Sequence, residues 1–309
     1  MSRNHGLYAA LFTVALLVQA LPNAADAAPV PNGNVTALRA AITNAAPGDT
    51  IVLAANGTYT LDGTELEIVK KLTINGRGAT ISGNAASRVI YVENTGNLTL
   101  RDVIITGGSA EEGGGIFNSG TVTLKDKSSV TGNTASVSGG GINNEYGTVT
   151  LKDKSSVSGN TANVGGGIFN YEDGTVTLSG TSRVSGNTAD NGSGGIYNSL
   201  GGTVTLKDKS SVSGNTANVS GGILNDGGTV TLKDTSSVSG NTAYDGGGIY
   251  NTNGTVTLSD KSSVSGNTAT GGNGGGIFNG GTVTLSDKSS VSGNTAAGNG
   301  GGIYNGGTL

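Results

Sequence analysis

The segment GTVTLKDKSSVSGNTANVGGGI, residues 147–168, contains the three short elements that decide the fold. The first is Gly-Thr-Val-Thr-Leu from Gly147, the second is Val-x-Gly-Asn-Thr-Ala from Val157, and the third is Gly-Gly-Ile, which ends at Ile168. Each has the length of a strand, shows β-branched enrichment or period-two alternation, and is bounded by Gly, Asn, Asp or Ser. No segment between them has helical spacing, so this stretch predicts three strands joined by tight corners.

These three elements return in constant order every 26 to 28 residues from Gly114 onward. A unit of this length cannot bury a core alone, whereas stacked copies can. Because parallel crossover connections are right-handed, we predict an all-β fold, a right-handed parallel β-helix (solenoid) of roughly ten three-strand coils. The repeated positions are Ile116, Ile142, Ile168, Ile196, Ile223, Ile249, Ile277 and Ile303; Gly120, Gly147, Gly174, Gly202, Gly228, Gly254 and Gly281; and Val130, Val157, Val184, Val212, Val238, Val264 and Val291.

Alternation along a strand places Val122 and Leu124 inside the coil and Thr121 and Thr123 outside it. Strands of successive coils pair at about 4.8 Å, so identical side chains form columns. The spacing from the last Leu of Gly-Thr-Val-Thr-Leu to the next Val is six residues in every repeat, whereas the other two corners vary in length. We therefore expect one fixed corner and two variable surface loops.

Residues 1–27 have the pattern of a secretory signal peptide. Arg3 gives a positive start, an apolar run extends from Leu7 to Leu21, and Ala25-Asp26-Ala27 is a small-x-small cleavage site. The run is shorter than the ~20 residues that a spanning helix needs, so we expect the mature chain not to span a membrane. The predicted localisation is secreted, either extracellular or at the cell surface, with the outer membrane as the alternative if the chain continues.

Residues 28–112 are predicted to form an N-terminal cap and divergent coils, and residues 113–309 the regular repeats. A short capping helix over residues 35–45, with Asn34 as its N-cap, would cover the strand edges at this end. Its apolar face consists of Leu38, Ala41, Ile42 and Ala45. The chain ends partway into another Gly-Thr-Val-Thr-Leu, and we expect it to be truncated there.

The composition argues against several kinds of chemistry. Most of the 57 glycines lie in the repeats, where they recur at fixed places instead of being scattered, so they do not indicate disorder. The chain has no cysteine, and its single histidine, His5, lies in the predicted signal peptide. We therefore predict no cofactor and no metal site, because the mature chain lacks thiols and the commonest general base. The net charge of −4 does not give the basic surface of a nucleic-acid-binding protein.

The motifs Gly114-Gly115-Ile116 and Val130-x-x-Asn133 resemble the polymorphic outer-membrane protein repeat, whose two marks are Gly-Gly-Ala-Ile and Phe-x-x-Asn. The opening VTALRAAITNAAPGDTIVLAANGTYTL, residues 35–61, is similar to the start of many secreted bacterial β-helix proteins of the pectate-lyase-like class. Together these resemblances cover residues 34–309. They imply the β-helix fold, whereas the activities of this class include lyases, hydrolases, adhesins and passenger domains.

Two asparagine columns and one aspartate column run through the repeats. A primary amide carries donors and an acceptor, so stacked asparagines are expected to bond to one another at corners. The aspartates mostly have lysine on at least one side, which predicts a solvated corner laced with salt bridges. The columns are Asn133, Asn160, Asn187, Asn215, Asn241, Asn267 and Asn294; Asn118, Asn144, Asn170, Asn198, Asn225, Asn251, Asn279 and Asn305; and Asp126, Asp153, Asp208, Asp234, Asp260 and Asp287.

An aromatic residue follows the core Ile in most coils and is expected to face outward. These rings could form a ligand-binding ladder for sugars or a partner surface, or they could stack on one another and stiffen one face. A less repetitive loop patch at the same edge is the best candidate for a specific contact. The ladder is Phe117, Phe169, Tyr197, Tyr250, Phe278 and Tyr304, interrupted by Asn143 and Leu224, and the patch is Glu145, Tyr146, Tyr171, Glu172 and Asp173.

A second outward feature is the Thr-x-Thr array of the Gly-Thr-Val-Thr-Leu strands. Its hydroxyls would lie about 6.7 Å apart along a strand and about 4.8 Å apart between coils. Such a grid resembles the ice-binding faces of β-solenoid antifreeze proteins, although Thr is also a favoured outward strand residue. Its central members are Thr148, Thr150, Thr175, Thr177, Thr203, Thr205, Thr229 and Thr231.

The near-identical coils favour a secreted or cell-surface, non-catalytic protein, an adhesin-like or passenger-type scaffold that contacts glycans or a host or cell surface. No catalytic residue is assigned, and the oligomeric state stays open. One alternative is ice binding by the Thr-x-Thr array. The other is a carbohydrate-active enzyme, a polysaccharide lyase or hydrolase, with its site in the divergent coils around Asp49, Asp62, Glu65, Glu67 and Arg77.

Overall fold

Parallel strands stacked coil upon coil make up most of the computed structural model, which describes residues 28–309. The predicted signal peptide, residues 1–27, lies outside the described residues. One helix, Val35–Asn44, precedes the strands. The divergent region contains Thr50–Val52, Thr58–Thr60, Leu66–Ile68, Lys71–Ser82, Ile90–Val92, Asn97–Thr106 and Ser109–Glu112.

Each regular coil contributes an Ile strand, a Thr-Val strand, a Ser-Val strand and, in most coils, a short Thr-Ala strand. The Ile strands are Ile116–Asn118, Ile142–Glu145, Ile168–Tyr171, Ile196–Ser199, Ile223–Asp226, Ile249–Asn251, Ile277–Asn279 and Ile303–Asn305. The Thr-Val strands are Thr121–Lys125, Thr148–Leu151, Thr175–Leu178, Thr203–Leu206, Thr229–Leu232, Thr255–Leu258 and Thr282–Leu285. The Ser-Val strands are Ser129–Thr131, Ser156–Ser158, Arg183–Ser185, Ser211–Ser213, Ser237–Ser239, Ser263–Ser265 and Ser290–Ser292. The Thr-Ala strands are Thr134–Ser138, Thr161–Ala162, Thr188–Ala189, Thr242–Ala243, Thr268–Ala269 and Thr295–Ala296.

Equivalent residues of successive coils lie opposite one another in the parallel ladders. Thr148–Leu151, for example, pairs residue for residue with Thr121–Leu124 on one side and with Thr175–Leu178 on the other. The Ile strands continue Leu66–Ile68 and Ile90–Val92 into one ten-stranded sheet. The prediction of a parallel β-helix of about ten coils is therefore confirmed.

The predicted Val-x-Gly-Asn-Thr-Ala element is divided in two, so most coils contain four strands where the sequence predicts three. In the second regular coil, Ser156–Ser158 ends before Gly159, and Thr161–Ala162 begins a new sheet after Asn160. Gly159 has a φ of +62°, a left-handed conformation that turns the chain between the two strands. The alternation of β-branched residues does not reveal this turn, because it continues across the glycine.

The core consists of one column each of Ile, Val, Leu and a second Val. In the first regular coil these are Ile116, Val122, Leu124 and Val130, and each is fully buried. The alternating threonines beside Val122 are partly exposed, as the period-two pattern predicts. Fully burying one such aliphatic side chain contributes about 1.5–3 kcal/mol.

The two asparagine columns use their amide groups fully inside the corners. Asn187 is 1% exposed, and its Oδ1 accepts hydrogen bonds from both the backbone N–H and the Nδ2 of Asn160 at 3.0 Å. Its own Nδ2 donates to Asn215 Oδ1 at 2.9 Å and to the Val157 carbonyl at 3.1 Å. In the second column, Asn144 Nδ2 donates to Asn170 Oδ1 at 2.6 Å. The predicted scaffold role of these residues agrees with this bonding.

The aspartate corner differs from its prediction. Ion pairs within 4.0 Å in residues 28–309 are Arg39–Asp62, Arg88–Glu65 and Arg101–Asp126, and none contains a lysine. The aspartates instead have left-handed backbones, and their Oδ2 atoms accept the backbone N–H one coil earlier, as Asp234 does from Asp208 at 2.9 Å. The expected lysine–aspartate bridges are therefore not found in residues 28–309, and within the column only Asp126 forms an ion pair, with Arg101.

The N-terminal helix closes one end of the core. Asn34 Oδ1 accepts the Ala37 N–H at 2.8 Å, which confirms the predicted N-cap. Leu38 and Ile42 are buried against the first coils. Lys70 Nζ donates to the carbonyls of Thr43 and Ala45 at 2.8 and 2.9 Å, so the helix C-terminus also has partners.

Substitution of Asn187 by Ala is expected to destabilise the solenoid by about 3 kcal/mol, because each buried polar group left without a partner costs about 1–3 kcal/mol. The groups affected are the Asn160 N–H and the Val157 carbonyl. The matched control is Asn253→Ala, at an exposed corner position, where a change within about 0.5 kcal/mol is expected. Urea unfolding followed by circular dichroism measures both, and equal losses would contradict the role of the column.

Substitutions at two glycines distinguish the cost of a steric clash with the next coil from the cost of a left-handed backbone. A Cβ on Gly167 would lie 2.6 Å from the Gly195 carbonyl oxygen of the next coil. Gly186 has a φ of +64° and open space around it. Gly167→Ala is therefore expected to cost about 3 kcal/mol or more, and Gly186→Ala only about 1–2 kcal/mol. The same unfolding measurement checks the order, and a larger loss in Gly186→Ala would refute it.

Candidate functional site

The aromatic ladder lies at the middle position of the Ile strands. Register places Tyr197 opposite Phe169, Phe278 opposite Tyr250, and Tyr304 opposite Phe278. The Ile before this position and the Asn after it are buried in most coils, so the rings lie on the outer surface, as the alternation predicts. The solenoid therefore aligns the ladder along its axis.

The rings contact one another in three separate stacks. Ring centroids lie 5.1 Å apart in Phe169–Tyr197 and 4.3 Å apart in Tyr250–Phe278, with interplanar angles of 15° and 2°. Tyr304 extends the latter stack at 5.0 Å. Asn143 and Leu224 interrupt the ladder, as the sequence indicates. The alternative that the aromatics stack on one another is therefore realised, and within a stack the ring faces are covered by other rings.

A ninth coil position also belongs to the ladder and was missed by sequence reasoning. Tyr91 stacks on Phe117 with centroids 5.3 Å apart, and the Arg88 guanidinium lies 5.0 Å from the Phe117 ring centroid. Phe117 is only 8% exposed as a result. The signal was the motif Val89-Ile90-Tyr91, in which an aromatic follows a core Ile without the preceding Gly-Gly.

Burial and nearby acids raise the pKa values of two tyrosines of the ladder. Burial first, and then the negative charge of Asp226, raise the pKa of Tyr197 above its ordinary value. Burial and then Asp245 raise the pKa of Tyr250 in the same direction. Both hydroxyls are therefore protonated at neutral pH and can donate hydrogen bonds at the surface of the ladder.

The loop patch of Glu145, Tyr146, Tyr171, Glu172 and Asp173 is a continuous surface, as expected. Glu145 lies opposite Tyr171 in the pairing of two parallel strands, and the Tyr146 N–H donates to the Tyr171 carbonyl at 3.3 Å. Tyr171 also stacks on the Phe169 ring at 5.6 Å. The patch thus joins the aromatic ladder directly.

Backbone conformation turns the patch toward solvent. Tyr146, Glu172 and Asp173 have φ values of +58°, +47° and +60°, an uncommon conformation for residues other than glycine. Tyr146 is 65% exposed, the second largest exposure among the large apolar side chains of residues 28–309. An exposed tyrosine held on a constrained corner is well suited to contact a partner, because little side-chain entropy is lost on binding.

Three acids converge at this patch. Burial first, and then the charges of Glu112 and Glu172, raise the pKa of Glu145 above its ordinary value. These acids come from three consecutive coils, so the sequence separates them while the stacking brings them together. The patch therefore combines an aromatic contact with concentrated negative charge.

Leu200 extends the patch and was not identified from the sequence. It is 55% exposed, and its carbonyl accepts the Asp173 N–H at 3.0 Å. Its φ is +45°. The available signal was corner length, because the corners after Ile168 and Ile196 are the longest of their kind in the repeats.

The Thr-x-Thr array lies on the Thr-Val strands, on a different face from the aromatic ladder. Thr148 and Thr150 pair in exact sequence register with Thr175 and Thr177, and this register continues through Thr203, Thr205, Thr229 and Thr231. These side chains are partly or fully exposed. The structure thus forms the expected regular grid of outward hydroxyls.

Three acids of the enzyme alternative already have bonding partners. Asp62 is paired with Arg39 at 2.8 Å, and the Arg39 guanidinium holds the pKa of this carboxyl below its ordinary value. Glu65 is paired with Arg88 at 2.8 Å, and Asp49 Oδ2 accepts the Ala46 N–H at 2.8 Å.

Residues of the enzyme alternative lie in two separate grooves. Glu65 and Glu67 line a groove of about 380 Å³ between the N-terminal helix and the first coils, together with Arg39 and Lys70. Arg77 lies in a separate groove of about 520 Å³. Arg77 is therefore separated from the two glutamates.

Two kinds of feature are absent from the part of the chain from residue 28 onward. No group of three or more His, Cys, Asp or Glu side chains there is placed to hold a metal ion. No helix in this part is long and apolar enough to cross a membrane.

Residues 288–306 match the family model described as the Chlamydia polymorphic membrane protein (Chlamydia_PMP) repeat. Comparison with curated proteins gave no match, and neither did comparison with solved structures. The resemblance to pectate-lyase-like proteins is therefore not confirmed. The matched segment contains Val291-x-x-Asn294 and Gly302-Ile303, the same two motifs that recur in the regular coils. Residues 288–306 are thus similar to the polymorphic membrane protein repeat and fold as part of a β-solenoid.

Proposed function

We propose that the chain is a secreted or cell-surface, non-catalytic β-helix scaffold of the adhesin-like or passenger type. The observation that carries this proposal is the unbroken register of the coils, which repeats each outward side chain along a rigid axis. The polymorphic membrane protein repeat at residues 288–306 supports a surface-exposed location. A scaffold of this kind acts by presenting side chains to a partner and needs no reacting group.

The contact site of the scaffold is the loop patch together with the adjoining stack of Phe169 and Tyr197. Three features support this assignment: the exposure of Tyr146, the acids around Glu145, and the continuity of the patch with the rings. Because stacked rings cover one another's faces, a sugar would contact ring edges and the exposed Tyr146 ring. The partner is accordingly a glycan or a protein on another cell surface.

Substitution of Tyr146 by Ala is expected to weaken binding to the partner surface by about tenfold or more, as for a tyrosine that anchors an interface. The matched control is Tyr244→Ala, because Tyr244 is 58% exposed but lies on a different corner several coils away. Binding of the labelled protein to epithelial cells and to a panel of immobilised glycans measures both variants.

Equal binding by the two variants would remove the patch from the proposal. Measurable turnover of pectin, alginate or a similar glycan by the purified protein would contradict the non-catalytic scaffold itself and favour the carbohydrate-active alternative.

Ice binding is a second candidate function, favoured by the register of the threonines. The Thr-x-Thr rows repeat without a shift over seven coils from Thr121 to Thr284. Spacings of about 4.8 Å between coils and about 6.7 Å along a strand give a regular hydroxyl lattice. Ice binding would use this lattice as a flat template.

This candidate predicts thermal hysteresis that is lost when Thr177 and Thr205 are replaced by Tyr, because bulky rings disrupt the lattice. The matched control is the replacement of Ser185 and Ser213 by Tyr, on the neighbouring Ser-Val strands. Freezing and melting points at high protein concentration provide the measurement. Absence of hysteresis in the unmodified protein would end this candidate.

A further inference from the structure

The fixed corner between the Thr-Val and Ser-Val strands, together with the strand residues that border it, contains every basic side chain of residues 113–309. We call it the lysine edge. It consists of nine lysines and one arginine: Lys125, Lys127, Lys152, Lys154, Arg183, Lys207, Lys209, Lys233, Lys261 and Lys288. All are partly or fully exposed. Backbone bonds stack these corners directly, for example from the Lys154 N–H to the Asp126 carbonyl at 2.9 Å.

Charge is separated around the solenoid. The lysine edge combines its ten basic residues with the six aspartates of the column, a net charge of +4. The other six acids of residues 113–309, which include Glu145, Glu172 and Asp173, lie at other corners without any basic residue. The net charge of −4 for the whole chain therefore conceals a positive edge and a negative remainder.

The aspartates of the edge do not pair with its lysines. None of the ion pairs found within 4.0 Å in residues 28–309 contains a lysine. Asp234 Oδ2 accepts from the Asp208 N–H at 2.9 Å, and Asp260 Oδ2 accepts from the Asp234 N–H at 3.0 Å. The carboxylates bond to the backbone, and the lysine side chains are partly or fully exposed on coils whose backbones lie about 4.8 Å apart.

Positive charge continues through the one coil that lacks lysine. Ser179, Gly180 and Thr181 occupy its corner, and Arg183, the single arginine of the regular repeats, is exposed two residues later. At the N-terminal end the edge leads into the groove of about 520 Å³, which Arg77, Arg101 and Lys127 help to line. The basic row is therefore continuous along the axis.

A straight row of unpaired cations is complementary to a linear polyanion, which binds by releasing its own counterions. The Lys125 and Lys288 coils are six coil steps apart, about 30 Å at about 4.8 Å per coil. Outward hydroxyls flank the row on both sides, from Thr-x-Thr on one strand and Ser-x-Ser on the next. Hydroxyl groups beside the cations suit the hydroxyl, carboxylate and sulfate groups of an acidic sugar chain.

The positions of the aromatic residues favour a glycan over a nucleic acid as the ligand of the lysine edge. Single-stranded nucleic acid is held by aromatic side chains interleaved with basic ones, because its bases need stacking surfaces. The phenylalanines and tyrosines of residues 113–309 all lie at other corners and on the Ile strands, away from the lysine edge. The lysine edge therefore offers charge and hydroxyls without stacking surfaces.

We propose that the lysine edge binds a linear anionic polysaccharide, with the carboxylate or sulfate groups of the chain aligned along the solenoid axis. This site is distinct from the loop patch and goes beyond the proposed scaffold function. The edge and the patch can engage two partners of opposite charge preference at the same time, because they lie at different corners of each coil.

The test measures binding of the purified protein to sulfated heparin fragments, to polygalacturonate, which carries carboxylates alone, and to neutral dextran, at a series of NaCl concentrations. We expect salt-dependent binding of one or both anionic chains, stronger for fragments longer than the edge, and none of dextran. Binding of heparin alone assigns sulfate as the ligand group, and comparable binding of polygalacturonate assigns carboxylate.

The decisive variant is Lys207→Gln with Lys209→Gln, and its matched control is Ser136→Asp with Asn253→Asp, which lowers the net charge equally at exposed positions elsewhere. The lysine variant is expected to lose about tenfold in affinity and to reduce the salt slope by about 0.7–0.9 per lysine. The control is expected to bind like the unmodified protein.

Equal loss in the control, unchanged binding in the lysine variant, or tighter binding of single-stranded DNA of equal length would each overturn this inference. Tyr146-dependent cell binding without any polyanion binding would overturn it while leaving the scaffold proposal intact. If Tyr146→Ala does not weaken cell binding while polyanion binding is retained, the scaffold proposal's contact site is overturned and this inference stands.

Discussion

Stacking of equivalent residues one coil apart is the constraint on which the rest of the structure depends. It places each side chain beside a copy of itself in the next coil, as in the pairing of Thr148–Leu151 with its neighbours. Apolar residues gain from this arrangement because the columns form a continuous core. Polar residues benefit only when one group both donates and accepts, which explains why Asn187 bonds to Asn160 on one side and Asn215 on the other.

Charged residues are the difficult case under this constraint, since two like charges about 4 Å apart repel by about 1 kcal/mol even in water. The aspartate column avoids part of this cost because each carboxylate accepts a backbone N–H from its neighbour, as between Asp208 and Asp234. Lysine has only donors, so it has no equivalent solution within the stack. Its long side chain extends into solvent, where an external anion is the natural counter-charge.

The periodic features of the fold could be predicted from the sequence, because each coil repeats the same local signal. The inward Val and Leu columns, the capped helix after Asn34 and the outward rings follow from spacing alone. Features that depend on a left-handed residue or on contacts between unlike coils could not. The turn at Gly159 divides a strand, and Leu200 reaches the loop patch through a neighbouring corner. Tyr91 was missed because its coil lacks the Gly-Gly that marks the others.

Composition is a weak guide to electrostatics in a solenoid. A net charge of −4 argues against a basic surface only if charges are evenly distributed, and in this solenoid the basic residues of the repeats all lie along one edge. Each corner position is sampled once per coil, so a preference for Lys at one corner becomes a line of positive charge along the axis. Field strength close to such a line depends on its own charge spacing, since screening at physiological salt limits the influence of distant acids to about 8 Å. The sign and pattern of charge at each corner, and not the total, therefore determine which partners a repeat protein of this kind attracts.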